Sequence, residues 1–171
     1  WINLVTDSLP ALALSMDPAE EDIMKRKPRD PQKGFFTRGM VWRIGYQGTT
    51  IGLISLAAYL IGFKDGGQSL GQTMAFAVLG FSQLVHVRNL HSNKISCFKI
   101  SLFRNKALIG AILASAALMA FILLIPPVMN IFGTVAMNGE HWMYVLLLSL
   151  IPIIVVEGMK LLKLNSSADE Y

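Results

Sequence analysis

Residues Ile44–Phe63 read IGYQGTTIGLISLAAYLIGF, a run of 20 residues without an Asp, Glu, Lys or Arg. A bilayer core of about 30 Å is crossed by roughly 20 helical residues. In lipid, every backbone N–H and C=O must be satisfied within the segment itself. The stretch therefore reads as a transmembrane helix. Working outward, residues 66–87 form a second charge-free run of 22. Residues 107–139 form a third of 33, interrupted by Pro126-Pro127. Residues 141–156 form a fourth of 16, and its apolar pattern continues past Glu157 to Leu164. Upstream, the first 16 residues carry a single charge, Asp7. The expected fold is all-α: an integral membrane helical bundle forming one transmembrane domain over residues 1–171. Its spans are about 1–15, 43–63, 70–90, 106–127 and 142–162, four full transmembrane helices preceded by one partial, Pro-broken helix. A chain that opens inside an apolar helix is expected to be a piece of a longer polypeptide.

Composition supports this class. Of the 171 residues, 53% are hydrophobic and 15% charged, with a mean hydropathy of +0.50. An average soluble domain carries about 25% charged residues. A disordered chain needs low hydrophobicity and high charge, so that class is excluded and a soluble globular domain is disfavoured. The net charge of +4 could suggest nucleic acid, but the distribution of the basic residues has a simpler cause. Residues 17–43 carry seven Lys or Arg, 63–70 one, 88–106 five, 128–141 none, and the end of the last span two. Fourteen of fifteen fall on one side, which the positive-inside rule assigns to the cytoplasm. The C-terminus is then cytoplasmic, and no nucleic-acid partner is expected. The sole cysteine, Cys97, rules out a disulfide framework within the chain.

The chemistry concentrates in the first helix, Asn3-Leu4-Val5-Thr6-Asp7-Ser8-Leu9-Pro10. Asn3 and Asp7 are four apart and share a helix face. An ionisable group at membrane depth is costly and serves ions, protons or a partner charge. Pro10 lacks an N–H, and its ring clashes with the carbonyl of Thr6, so it opens the helix beside Asp7. An amide oxygen, a hydroxyl, freed carbonyls and a carboxylate are hard oxygen donors, the set that calcium or magnesium prefers. The alternative is a Pro-kinked helix whose Asp pairs with a neighbouring helix.

These residues carry a resemblance. Asn3 to Ala11 closely resembles the sixth transmembrane helix of type II P-type ATPases, the calcium-pump group in particular. Asp22 to Arg29 looks like the cytoplasmic loop that follows it, Thr73 to Phe76 like part of the eighth helix, and Lys106 to Gly110 like the start of the ninth. The resemblance covers essentially the whole chain, as helices six to ten. It implies that Asn3, Thr6 and Asp7 are calcium ligands. It also places Gln83 where two-calcium reticulum pumps have a ligand Glu, and where plasma-membrane calcium pumps and sodium/potassium pumps both have Gln. A neutral amide weakens a divalent site relative to a carboxylate, which favours one Ca2+ per cycle.

The resemblance further implies export of Ca2+ from the cytoplasm by an ATP-driven pump in the plasma membrane. The family's Asp-Lys-Thr-Gly-Thr phosphorylation motif does not occur in these 171 residues. ATP and Mg2+ would therefore be handled by cytoplasmic domains elsewhere in the pump. The expected partners are the rest of that pump and the lipid bilayer, and this chain alone should be inactive. Two alternatives stay open: a P-type pump for another cation (Na+, K+, H+ or Mn2+), and a transporter or membrane subunit outside the ATPases.

Other features have plainer readings. Glu157 and Lys160 are three apart and read as a pair near the inner interface. Gly48 and Gly52, and Gly110 and Ala114, have the spacing of close helix-packing faces. Trp142 and Tyr144 read as interfacial anchors, and Pro152 as a kink in the last helix. His86, His91 and His141 are scattered and form no metal-ligand set. Residues 92–104 have the pattern of a short amphipathic segment at the membrane surface.

Overall fold

The computed structural model describes Ile2 and residues 8–16, 38–90 and 105–161. Among the described residues there are five helices and no strand: α1 (Ser8–Ser15), α2 (Arg38–Leu90), α3 (Lys106–Leu124), α4 (Pro126–Phe132) and α5 (Gly139–Leu161). Within these residues, three helical segments are long and apolar enough to cross a membrane: Gly39–Val87, Lys106–Leu124 and Gly139–Lys160.

The first of those segments is a hairpin. Gly66 and Gly67 leave helical geometry inside α2, and Gly67 takes a left-handed φ of 75°, a conformation that glycine reaches at no steric cost. Gly62 and Gly71 would stand about 13 Å apart along a straight helix. Instead, a Cβ on Gly62 would lie 2.9 Å from the Gly71 Cα. The chain doubles back, and its two arms touch backbone to backbone where neither residue has a side chain.

The core joins both arms to the later helices. Ile54 and Ala58 from the first arm pack with Leu70, Met74, Ala77 and Val78 from the second, Met119 and Leu123 from α3, and Val145 from α5. The outer faces are equally apolar: Leu53, Leu56, Leu60, Leu146, Leu147 and Ile154 are all more than half exposed. Helices apolar all round suit a membrane, where small residues and close packing, rather than water exclusion, hold helices together.

Pro126 ends α3 earlier than the expected span end at 127. Ile125 is extended, with φ −99° and ψ 111°, because a residue before proline is pushed out of the α region. The short α4 then runs to Gly133, whose left-handed φ of 66° ends it, and the Thr134 N–H donates to the Met129 carbonyl at 3.0 Å. Pro152 does not interrupt α5, which runs through it to Leu161.

Among the described residues, nothing packs against two of the small-residue motifs. A Cβ on Gly48, Gly52 or Gly110 would meet nothing within 4 Å. The close approaches fall instead at Gly62/Gly71 and at Gly80, where a Cβ would meet the Met119 side chain. Spacing alone does not say which face of a helix a neighbour covers. The amphipathic pattern of residues 92–104 lies outside the described residues.

Candidate ion-binding region

Asn3, Thr6 and Asp7 lie outside the described residues, while Gln83 and the helix that follows Asp7 lie within them. The region is built from α1, the second arm of α2 and the start of α3. Pro10 and Ala13 are the buried residues of α1. Ala13 packs with Val87 from α2 and Leu108 from α3, and Leu14, Ala111 and Ile112 lie against this cluster.

Asn105 locks the arrangement. Its side-chain Oδ1 accepts from the Leu108 N–H at 2.9 Å, capping α3, as short polar residues do at helix N-termini. Its Nδ2 donates to the Ala13 carbonyl at 2.8 Å, across 92 residues of sequence. Asn105 is 6% exposed. Sequence reading missed this residue, although an Asn directly before a long apolar run is a capping signal.

Gln83 is half-buried and sits four residues before Val87 on one helix, so the two share a face. Val87 touches α1 through the Ala13 cluster, which puts Gln83 one turn further along the face that looks toward α1. Its Oε1 is buried and has no hydrogen-bond partner among the described residues; Ser55 Oγ is in the same state. A buried acceptor left unsatisfied costs about 1–3 kcal/mol, so the Gln83 carbonyl is a candidate oxygen ligand.

Two polar constellations lie elsewhere. Lys160 Nζ donates to Glu157 Oε1 at 3.1 Å, and the side chains are only 5% and 11% exposed. The expected pair is made, but it is buried among helices rather than extended outward. Nearby, His86 lines a small cleft with Gln47, Thr50, Pro152, Val155 and Val156. At the opposite end, near the hairpin tip, the Asn138 N–H donates to His141 Nδ1 at 3.4 Å, and Asn138 Oδ1 accepts from the His141 N–H at 2.8 Å. His141 Nε2 faces Asp65 Oδ2 at 3.4 Å. The Thr73 hydroxyl donates to the Ser69 carbonyl at 2.8 Å and accepts from the Val135 N–H at 3.0 Å. Trp142 is half-buried and packs edge-on against Phe81, with centroids 6.3 Å apart. It serves the bundle interior, while Tyr144 is exposed.

Comparison with known proteins agrees with this architecture. The family described as cation transporting ATPase, C-terminus, matches residues 1–162. A calcium-transporting ATPase 1 of Bacillus cereus is 42% identical over 96% of this chain and 20% of its own length. A calcium-transporting ATPase of Bacillus subtilis is 43% identical over 92% of the chain and 18% of its own length. A Listeria monocytogenes calcium-transporting ATPase is 35% identical over 95% of the chain. The chain thus spans about a fifth of the length of these curated relatives. It belongs to the cation-transporting P-type ATPases, in the type II calcium-pump group, and corresponds to their C-terminal membrane region.

Proposed function

We propose that this chain is the helix-six-to-ten portion of a pump that exports Ca2+ from the cytoplasm, and that Asn3, Thr6, Asp7 and Gln83 supply oxygen ligands to the transported ion. The single observation that carries this reading is the buried Gln83 Oε1, which has no hydrogen-bond partner among the described residues and lies on the helix face directed toward α1. Relatives named calcium-transporting ATPases support the choice of ion. The five-span topology, with four full spans behind the partial one, is part of the same proposal. So are a plasma-membrane location, a cytoplasmic C-terminus and one Ca2+ per cycle.

Mechanistically, Asp7 is the charge and Gln83 a neutral partner. Proton uptake at Asp7 in exchange for the released ion is part of the same proposal. ATP and Mg2+ act in the portion of the pump outside this chain, which by itself hydrolyses nothing.

The test is ATPase activity of the full-length pump in vesicles against calcium, manganese, sodium and potassium. The expected result is activation by micromolar calcium, lost in Asp7→Asn. In Gln83→Met the affinity should weaken at least tenfold while thermal stability is kept, because an unsatisfied polar group has been replaced by an apolar one of similar size. Activation by sodium, potassium or manganese but not calcium refutes the ion assignment. Unchanged calcium affinity in Gln83→Met removes Gln83 from the site.

A further inference from the structure

We infer that Asn105 is a positioning residue for transport: it clamps the cytoplasmic-side end of the ion-site helix to the start of α3. The inference rests on the proposed function for what the clamp serves, but the clamp itself is a feature of the fold.

The described part of α1 is short and only partly covered. The helix has 8 described residues, SLPALALS, about 12 Å in length. Isolated helices shorter than ~12–15 residues are marginal even with favourable sequences. It has no basic residue in its last turn to neutralise the exposed carbonyls there. Among the described residues, Leu9, Leu12 and Met16 of α1 are exposed, while Pro10 and Ala13 are buried. On the buried side, Asn105 Nδ2 donates across to the Ala13 carbonyl at 2.8 Å.

Asn105 spends both ends of its amide. Oδ1 holds the Leu108 N–H and so is fixed by α3. Nδ2 is thereby aimed at α1. A capping residue needs only an acceptor, and Asp or Ser caps as well as Asn. The donor at Nδ2 is the part that capping does not require, and it is the part that crosses to α1. Ala13 lies six residues beyond Asp7 in the sequence. Freedom at this end of α1 is therefore passed to Asp7, the proposed charged ligand, across only six residues. Ion ligands must be held to within a few tenths of an ångström to bind well, so a loosened clamp weakens ion binding before it weakens the fold.

The variants that separate clamp from cap are Asn105→Asp and Asn105→Ser. Both retain the acceptor for the Leu108 N–H. The carboxylate has no donor, and the serine hydroxyl is too short to reach α1. The full-length pump is used, with spin labels on cysteines introduced at the exposed Met16 and Ala107. Two quantities are read: the Met16–Ala107 distance distribution, and the calcium concentration for half-maximal ATPase activity. In both variants the distribution should broaden. The half-maximal calcium concentration should rise about fivefold, the size of one net hydrogen bond, with the rate at saturating calcium kept. A purely structural cap predicts no change in Asn105→Ser, which adds no charge at this buried position, and that result overturns the inference whatever Asn105→Asp shows. A changed distance with unchanged ion affinity, or the reverse, overturns it as well. If calcium does not activate the unsubstituted pump, the proposed function fails on that measurement alone. Asn105 is then judged by the same distance and by the affinity for whichever cation does activate.

Discussion

Glu157 and Lys160 show what a single residue pair can tell about its surroundings. Two long charged side chains three apart on a helix would ordinarily reach for the membrane surface. Here they are about nine-tenths buried and hold one another at 3.1 Å. Removing one partner of a buried pair leaves an uncompensated charge and costs about 3–5 kcal/mol, whereas replacing both with apolar groups of similar size is often neutral. Lys160→Met and Glu157→Met are each expected to lower thermal stability, by up to about 3 kcal/mol. The double variant should regain most of that loss in a detergent melting experiment. Losses that simply add would mean that the two residues do not stabilise one another. Gln83 differs in kind: its buried oxygen has no protein partner among the described residues, so removing it should harm ion binding and spare stability.

At the scale of elements, the hairpin depends on its glycines unequally. A Cβ on Gly71 would lie 2.7 Å from the Tyr59 carbonyl oxygen, an atom fixed by the opposing backbone. A Cβ on Gly80 would approach the Met119 methyl even more closely, but that methyl ends a flexible side chain. Overpacking costs about 1–3 kcal/mol where nothing can yield. Gly71→Ala should fall at the upper end of that range and Gly80→Ala near zero or better, since alanine favours the helix by about 1 kcal/mol. Equal melting temperatures for the two variants would contradict the backbone contact. The reversal itself was legible in the sequence, because Lys64-Asp65-Gly66-Gly67 interrupts two apolar runs with charge and glycine. So was the end of α3, because Pro126 acts on its immediate neighbour. The partner of each glycine was not legible: Gly48 and Gly52 have the better motif, yet Gly62 and Gly71 make the contact. The clamp from Asn105 to Ala13 was equally hidden, because a bond across 92 residues leaves no local signal. Of the proposed ion site, the sequence supplied the donor chemistry of residues 3–7 and the structure the state of Gln83.

For the whole molecule, charge and architecture argue for the same orientation. The first arm of α2 leaves the basic end of the bundle at Arg43, and α3 begins at that end with Lys106 beside the Asn105 clamp. Arg38 and Arg88, near the two ends of α2, and Lys160, near the close of α5, are the other basic residues of the described helices there. The other end holds the hairpin tip, the Thr73–Val135 bond and the Asp65–His141 contact, with Lys64 as its one basic residue. Moving a folded bundle with several juxtamembrane cations across a bilayer is disfavoured, and short loops obey the bias most strictly. The end carrying Arg43, Lys106 and Lys160 should therefore face the cytoplasm. A single cysteine at Asn138, exposed near the hairpin tip, should react with a membrane-impermeant maleimide on intact cells. A single cysteine at Ala107 should react only after permeabilisation. The reverse pattern would turn the pump's polarity over. Asp7 would then receive its ion from outside the cell, so an export assignment would fail even with every ligand in place. Labelling of both positions from outside would show that α3 does not separate them across the membrane, and the span assigned to Lys106–Leu124 would have to be withdrawn.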